Sequence, residues 1–527
     1  MELRRPTHGG RFTQRVLLKP AFGAWPLVLL ALLIIAGTVQ FSLPINFDVS
    51  WYLYGAGRLL DGARLYVDWI EPNPPLIVWM SLPFQLLASW TGLSAGDALR
   101  LGTLAMVAGS IAVAAGCLRS GTMGYDGGRD GILVVWAFAL LALVDHHHFQ
   151  REHVFLALTL PYLCAAAVRA AGREISFRLA MSAGALAGLG LALKPYYLFV
   201  WFAVELALVH ARTRRVLLRP ENAGIAAVGT IYLAAVLVLT PEYFRIARLG
   251  AVAYRSYADP VTAADILLDP RAIAAYALAA FAVASRRRYP ISGFRLTLLA
   301  SLGGYLAAVV AQGKSFPNHW YPAEAMLALS GYATLADVWR TARPAGRRSL
   351  RLAMVGGITL VAIAILNGSA TVRRWQAAYQ TDPFYLDAMR SVLESPRAAS
   401  FFTIGGTMRS SFPLAVVTGV PYESRFHSLW FLGGTYAGVC LERCRPFPYH
   451  DLADMTEAEQ YEFDALIDDL ARTRPEVLFV DRLPPQGLGG FEYLEYFSRD
   501  PTFRSVFEEY EFETVVGGRY LAYRRRK

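Results

Sequence analysis

The sequence predicts an α-helical polytopic membrane protein that ends in a smaller α/β domain. Of its 527 residues, 55% are hydrophobic and only 17% are charged, and the mean hydropathy is +0.34. Apolar runs of spanning length recur between short arginine-rich loops. This composition excludes an ordinary soluble protein. The net charge of +10 therefore reflects loop arginines that set membrane orientation, and nucleic acid is not an expected partner.

The positions of the basic residues predict a cytoplasmic N-terminus. The first apolar run, at 21–43, is preceded by five basic residues: Arg4, Arg5, Arg11, Arg15 and Lys19. Further arginine-rich loops lie near 173–178, 212–219, 286–295 and 340–351. Because basic loops stay in the cytoplasm, all of these should face the same side of the membrane.

One apolar stretch should not cross the membrane, since about twelve crossings would put some basic loops on the wrong side. The stretch at 76–90 is short and contains Pro83, so we expect a re-entrant or surface-lying helix there. About eleven spans remain, and an odd number places the chain after them outside. They are predicted to begin near residues 22, 98, 131, 153, 178, 195, 223, 271, 294, 320 and 352.

The composition changes after residue 370, from apolar to mixed and charged. We therefore divide the chain into a membrane domain at 1–370 and an extracytoplasmic α/β domain at 371–527. Helical periodicity is found at 382–394 and 457–473. Short apolar strands are predicted at 399–404, 476–480 and 519–523.

The four cysteines divide between the two domains. Cys117 and Cys164 lie in predicted spans and are most simply packed thiols. Cys440 and Cys444 lie outside the membrane, where an oxidising compartment favours a disulfide. A zinc site that includes His450 is the weaker alternative, since only three ligands are nearby.

The segment 44–75 after the first span is rich in acidic and aromatic residues. Its acids are Asp48, Asp61, Asp68 and Glu71, and its aromatic residues include Trp51, Tyr52, Tyr54, Tyr66 and Trp69. Carboxylates accept hydrogen bonds from sugar hydroxyls, and aromatic rings stack on the apolar faces of sugars. The alternative is that the aromatic residues only anchor the chain at the membrane interface.

A second polar cluster separates two predicted spans on the same outer side. It contains Asp145, three consecutive histidines, Arg151, Glu152 and His153. Ionised groups are costly in hydrocarbon, so the cluster should line an aqueous or protein-enclosed cavity near the membrane surface. Three consecutive histidines cannot all face one site on regular structure, which argues against a three-histidine zinc site.

Three basic residues are expected at the outer ends of the spans: Lys194, Lys314 and His319. A phosphate on a lipid carrier lies at the same depth and binds such cations. The alternative is that these side chains extend to the lipid headgroups without a specific ligand.

The combination of Asp48, just beyond the first span, with the Pro74-Pro75-Leu76 sequence resembles the lipid-dependent membrane glycosyltransferases of the GT-C class. The closest resemblance is to the bacterial protein mannosyltransferase and aminoarabinose transferase families. It implies transfer of a hexose or pentose from a polyprenyl-phosphate donor to a glycan, lipid or protein acceptor at the outer face of the bacterial cytoplasmic membrane. It further implies one inverting step with Asp48 as general base.

The resemblance also assigns residue roles. Those families often have lysine or histidine before Pro-Pro-Leu, where this chain has Asn73, so phosphate binding falls to Lys194, Lys314 or His319. Glu152 or Asp145 would be the second acidic catalytic group. The expected substrate-binding residues are Trp51, Tyr52, Tyr54, Asp68, Glu71, Asn73, Arg151 and His153. Carboxylates bind divalent cations, so the need for such a cation stays open, although the sequence defines no metal ligand set.

Three other functions stay open at this point. The main alternative is a transporter or flippase of lipid-linked envelope precursors. Many transporters contain internal repeats, and no clear repeat is found in this sequence. An outer-face acyl or phosphoryl transferase would need a different donor and nucleophile. A catalytically inactive scaffold would only bind glycans through the C-terminal domain. In a transferase, that domain would bind the acceptor or simply cover the active-site cavity, with Glu423, Arg425 and the aromatic residues at 426–436 as candidates.

Overall fold

The structure is a computed structural model that describes residues 25–120, 128–212, 217–254, 261–342, 383–409, 411–437, 439, 444–485 and 488–526. In this part of the chain, the α-helices before residue 343 are α1 Trp25–Ser42, α2 Phe47–Leu60, α3 Leu76–Thr91, α4 Ala95–Ser120, α5 Gly128–Leu141, α6 Arg151–Ala170, α7 Phe177–Ala192, α8 Leu198–Ala211, α9 Pro220–Leu239, α10 Tyr243–Ala253, α11 Ala263–Leu267, α12 Pro270–Ala284, α13 Gly293–Gln312 and α14 Pro317–Ala342. The predicted span near residue 352 and the basic residues before residue 25 lie outside the described residues.

The predicted helical membrane fold is confirmed. Each predicted span that falls in the described residues begins within about three residues of a helix start. By length and composition, α4, α6, α9 and α13 are able to cross a membrane, and α1 with α2 forms a fifth candidate that is bent by 82°. The other predicted spans correspond to shorter apolar helices or to the polar-ended α14.

Segment 44–75 is more regular than the sequence predicted, because its first half forms α2. The Asn46 side chain caps this helix by accepting a hydrogen bond from the Asp48 backbone N–H over 2.9 Å. Helix α3 has the predicted length, contains Pro83, and ends at Gly92 with a left-handed φ of 74°. The capped start of α2 fixes the position of Asp48.

Helix α6 lies in the centre of the helical part, with 94% of its span buried by other residues. Helices α7 and α9 pack closely through small residues. A Cβ atom at Gly224 of α9 would lie 2.8 Å from the Met181 carbonyl oxygen of α7. Gly184 lies in the same contact, against the backbone of Glu221. The close approach of these two backbones therefore requires glycine.

The C-terminal part is α/β, as predicted. Its described helices are α15 Pro383–Glu394, α16 Ser411–Thr418, α17 Trp430–Thr435, α18 Glu457–Thr473, α19 Tyr493–Phe497 and α20 Pro501–Phe507. The strands are β1 Phe401–Ile404, β2 Val477–Asp481, β3 Tyr510–Val516 and β4 Tyr520–Arg525. They form one sheet in the order β1-β2-β4-β3, in which only β1 and β2 are parallel. The sequence did not predict β3, whose central residues are all exposed.

The C-terminal part packs directly on segment 44–75. Ile70 donates its backbone N–H to the Arg425 carbonyl oxygen over 2.8 Å, and Tyr422 donates its N–H to the Tyr54 hydroxyl over 2.7 Å. Phe412 of α16 contacts the Trp51 ring edge to face at 4.5 Å. One continuous apolar core therefore joins the two parts.

The cysteines follow the predicted division. Cys117 and Cys164 are buried free thiols. Cys444 is disulfide-bonded, and Cys440 lies outside the described residues. His450 Nδ1 lies 2.7 Å from Glu459 Oε2, so the imidazole interacts with a buried carboxylate.

Candidate active site

A cavity of about 150 Å³ lies where segment 44–75 meets the C-terminal part. Its lining residues come from three stretches of sequence: Asp48, Trp51, Tyr52, Glu71, Pro72 and Asn73; Tyr254, Lys314 and Phe316; and Met408, His427 and Trp430. Six of them were predicted as site residues from the sequence: Asp48, Trp51, Tyr52, Glu71, Asn73 and Lys314. The fold therefore brings acidic, basic and aromatic groups to one cavity.

Asp48 is held by a network at the start of α2. Gln150 donates from Nε2 to Asp48 Oδ2 over 2.7 Å and to Asn46 Oδ1 over 3.0 Å. His147 Nδ1 lies 2.7 Å from Gln150 Oε1 and completes the chain of contacts. Within the described residues, Asp48 Oδ1 has no hydrogen-bond donor, so one carboxylate oxygen is fixed and the other is available to a ligand.

Glu71 organises the opposite side of segment 44–75. Its fully buried carboxylate accepts hydrogen bonds from Trp51 Nε1 over 2.5 Å and from the Asn73 backbone N–H over 2.9 Å. Burial raises the pKa of Glu71 to about 7, although Arg151 and these hydrogen bonds oppose the shift. Arg151 in turn donates to Asn73 Oδ1. Glu71 therefore fixes the orientation of both Trp51 and Asn73.

Glu152 and Lys194 form a buried ion pair behind the cavity, where both side chains are almost fully buried. Lys194 Nζ also donates to Gln312 Oε1 over 3.3 Å. His319 Nε2 lies 4.0 Å from Glu152 Oε1. Three predicted site residues from distant parts of the sequence are thus brought together, and the charges of Glu152 and Lys194 act on Asp48.

Lys314 reaches the cavity from the loop between α13 and α14. Its Nζ lies 3.8 Å from the ring centroid of Tyr254, a cation–π contact. Burial lowers the pKa of Lys314 to about 7, and the positive charges of Lys194 and Arg151 lower it further. The site therefore concentrates positive charge where an anionic ligand would relieve the repulsion.

Several predicted site residues lie elsewhere. Both ring nitrogens of His153 face backbone atoms, with Nδ1 accepting from the Phe149 N–H over 3.1 Å and Nε2 lying 2.9 Å from the Leu140 carbonyl oxygen. Asp68 is exposed and pairs with Arg64 at 3.3 Å. Tyr54 joins segment 44–75 to Tyr422. Asp145 begins a short 3₁₀ turn, and its side chain lies outside the described part of the structure.

Metal ions need a set of several protein ligands arranged around one point. Within the described residues, no group of three or more His, Cys, Asp or Glu side chains is arranged to hold one. The predicted carboxylates do not fit a cation cage there, because Glu152 is paired with Lys194 and Glu71 is bound by Trp51 and Asn73.

Six described lining residues and the supporting residue Gln150 were not assigned to the site from the sequence; the six are Pro72, Tyr254, Phe316, Met408, His427 and Trp430. Gln150 lies inside the second polar cluster, but its neutral amide carries no charge signal. Met408, His427 and Trp430 come from the C-terminal part, more than about 350 positions from Asp48. Only the fold brings residues so distant in sequence to one cavity, and no local pattern reports such a contact.

The fold has the GT-C-like architecture that the resemblance drawn from the sequence implied. Specifically, the chain is similar to the crystal structure of ArnT from Cupriavidus metallidurans bound to undecaprenyl phosphate, with a TM-score of 0.56, 10% identity, and coverage of 95% of this chain and 98% of that one. For the apo ArnT structure from the same organism, the TM-score is 0.46 and the sequence identity is 12%, with coverage of 95% of this chain and 97% of that one. No family model and no curated protein matches the chain.

Proposed function

We propose that this protein is a membrane glycosyltransferase that transfers a sugar from a polyprenyl-phosphate donor to an acceptor at the outer face of the bacterial cytoplasmic membrane. The observation that carries the proposal is the cavity itself, whose lining includes both a fixed carboxylate, Asp48, and a basic group, Lys314. The fold adds support, because the similar ArnT structure holds undecaprenyl phosphate. In this proposal the N-terminus is cytoplasmic, and residues 371–527 lie in the periplasm.

The donor phosphate is assigned to the basic side of the cavity. Lys314 lines the space directly, while Arg151 and Lys194 contribute positive charge from behind it. Glu152 neutralises part of that charge and fixes Lys194. Preorganised cations stabilise a phosphate as it leaves, because the negative charge grows on its oxygen in the transition state.

Asp48 is assigned the role of general base. Gln150 holds Oδ2, so Oδ1 accepts the proton from an acceptor hydroxyl. The acceptor oxygen forms a bond to the anomeric carbon as the bond from that carbon to the phosphate oxygen breaks. The bonding electrons leave with the polyprenyl phosphate, and the proton stays on Asp48. A single displacement inverts the anomeric configuration.

The aromatic residues of the cavity are assigned to sugar binding. The Trp51 ring stacks on Trp69 with a centroid distance of 3.4 Å, and Glu71 holds its indole nitrogen. Tyr52 lies beside it and is almost fully buried. Rigid rings of this kind bind the apolar faces of a hexose or pentose with little loss of conformational freedom.

The test uses vesicles that contain the purified protein, a panel of radiolabelled polyprenyl-phosphate sugars and a total membrane extract. We expect label to move to an acceptor with the wild type and with Asp68→Asn, but not with Asp48→Asn. Asp68 is the matched control because its carboxylate is exposed and lies outside the cavity lining. Label that crosses the vesicle membrane without any covalent transfer would instead support a flippase.

A further inference from the structure

The wall of the cavity opposite Lys314 and segment 44–75 belongs to the C-terminal part. Its members are Met408, His427 and Trp430. The His427 ring meets the Trp51 ring edge to face at 5.2 Å, so the two walls converge at this point. The C-terminal part therefore supplies groups that a ligand in the cavity would touch.

Trp430 has an unsatisfied polar atom in this wall. The residue is only 4% exposed, yet its Nε1–H finds no acceptor within the described residues. Buried N–H groups are nearly always paired, so this unpaired one is an exception among the described residues that line the cavity. A small shift of the wall would bring it to a hydroxyl or ring oxygen of a ligand.

His427 adds a second neutral polar group. It is 7% exposed, and its Nδ1 lies 2.7 Å from Ser428 Oγ, while Nε2 has no hydrogen-bond partner in the described part of the chain. Burial lowers the pKa of His427 to about 3, so the imidazole is uncharged at neutral pH. This wall therefore offers neutral hydrogen bonds, unlike the cationic side of the cavity.

The position of Trp430 is fixed from both sides. The buried Glu462 carboxylate accepts the backbone N–H groups of Phe431 over 3.2 Å and Leu432 over 3.0 Å, which holds the first turn of α17. On the other side, a Cβ atom at Gly250 of α10 would lie 2.9 Å from Trp430 Cη2. A preorganised indole loses little entropy when a ligand binds.

We propose that His427 and Trp430 form the acceptor subsite, and that the acceptor is a sugar ring of a glycan or glycolipid. An aromatic face beside neutral hydrogen-bonding atoms matches a pyranose, which has an apolar face and a rim of hydroxyls. The cations on the other side of the cavity are left for the donor phosphate. This inference rests on the proposed function and adds the chemical class of its acceptor.

The experiment measures acceptor KM and donor KM separately in vesicles of the full chain. The donor is the labelled polyprenyl-phosphate sugar on which the wild type is active. The acceptor probes are the glycolipid fraction and the delipidated protein fraction of the membrane extract. The variants are Trp430→Phe, which removes only the indole N–H, and His427→Gln. Trp339→Phe is the control, because Trp339 is 42% exposed and distant from the cavity lining.

We expect Trp430→Phe and His427→Gln to raise the KM for the glycolipid fraction about tenfold each, the effect of losing one hydrogen bond. Donor KM and the thermal stabilisation by undecaprenyl phosphate should stay at the wild-type value, which also reports that each variant is folded. Trp339→Phe should change neither quantity.

Three outcomes would overturn the acceptor subsite while leaving glycosyl transfer intact. These are an unchanged acceptor KM in both variants, an equal rise in donor and acceptor KM, and transfer only to the protein fraction. Absence of transfer by the wild type from every donor is different, since it would overturn the proposed function itself.

Discussion

Gln150 Nε2 donates a hydrogen bond to Asp48 Oδ2 over 2.7 Å, although 102 positions separate the two residues. This contact joins the acidic segment after α1 to the polar cluster before α6. The same nitrogen donates to Asn46, the cap of α2, so one amide orients both the helix start and the carboxylate. The two polar regions seen in the sequence are parts of one network.

Replacing this amide should impair the chemistry more than substrate binding. We expect Gln150→Leu to lower kcat by about tenfold to a hundredfold, because a base that is no longer oriented loses part of its contribution to proton transfer. Donor KM should stay unchanged. Steady-state kinetics with saturating acceptor would check this, with Asp68→Asn as the control. A normal kcat in Gln150→Leu would show that Asp48 is oriented by other contacts.

The Glu152–Lys194 pair should behave as a single stabilising unit. Lys194→Met leaves a buried carboxylate without its cation, so we expect the free energy of unfolding to fall by about 3–5 kcal/mol. The double variant Lys194→Met with Glu152→Gln should regain most of that stability, since neither member of the pair is then charged. Thermal unfolding in detergent compares the three proteins. A double variant less stable than Lys194→Met alone would contradict the pairing.

Donor affinity should depend on pH through Lys314. Its lowered pKa, about 7, means that the cation is present below that pH and is lost as the pH rises through it. We therefore expect the Kd for undecaprenyl phosphate to increase between about pH 6 and pH 8, at most tenfold per pH unit for one proton. Lys314→Arg keeps its charge throughout this range and should abolish that increase. A constant wild-type Kd across the range would remove Lys314 from phosphate binding.

The contact between α7 and α9 should tolerate no added methyl group. At Gly224 a Cβ atom would lie 2.8 Å from the Met181 carbonyl oxygen and 2.9 Å from the Ala185 nitrogen, which are backbone atoms that cannot turn away. We expect Gly224→Ala to lower the free energy of unfolding by about 1–3 kcal/mol. Gly229 is the matched control in the same helix, because a Cβ atom there meets nothing within 4 Å. Equal stability of the two alanine variants would contradict this packing.

The helices were predictable because their signal is local. Apolar runs such as those of α9 and α13 are visible in any window of spanning length, and caps and prolines mark their ends. Helix α2 was interpreted as loop because its aromatic and polar residues interrupt the hydrophobic run. Strand β3 was missed because exposed residues fill its centre and it forms only by pairing with β4.

The candidate site was predictable only in part, for a related reason. Asp48, Glu71 and Lys314 stood out because a charged residue next to an apolar span needs an explanation. His153 is also a polar residue next to an apolar span, yet both of its ring nitrogens contact backbone atoms of residues that precede α6. Trp430 was only one of several aromatic candidates at 426–436, since an aromatic residue in an α/β domain is ordinarily core. Its role depends on a contact between distant parts of the chain.

The backbone contact of Ile70 with Arg425 and the hydrogen bond of Tyr422 with Tyr54 have a consequence for exchanging parts between related proteins. A C-terminal part transplanted from a relative would bring three of the twelve described residues that line the cavity, and it would have to fit a segment 44–75 of another sequence. Segment 44–75 and residues 401–437 should therefore be exchanged together, although the helices between them make up most of the chain. Chimeras that move both together should keep the cavity wall continuous, whereas those that move only one should break these two contacts.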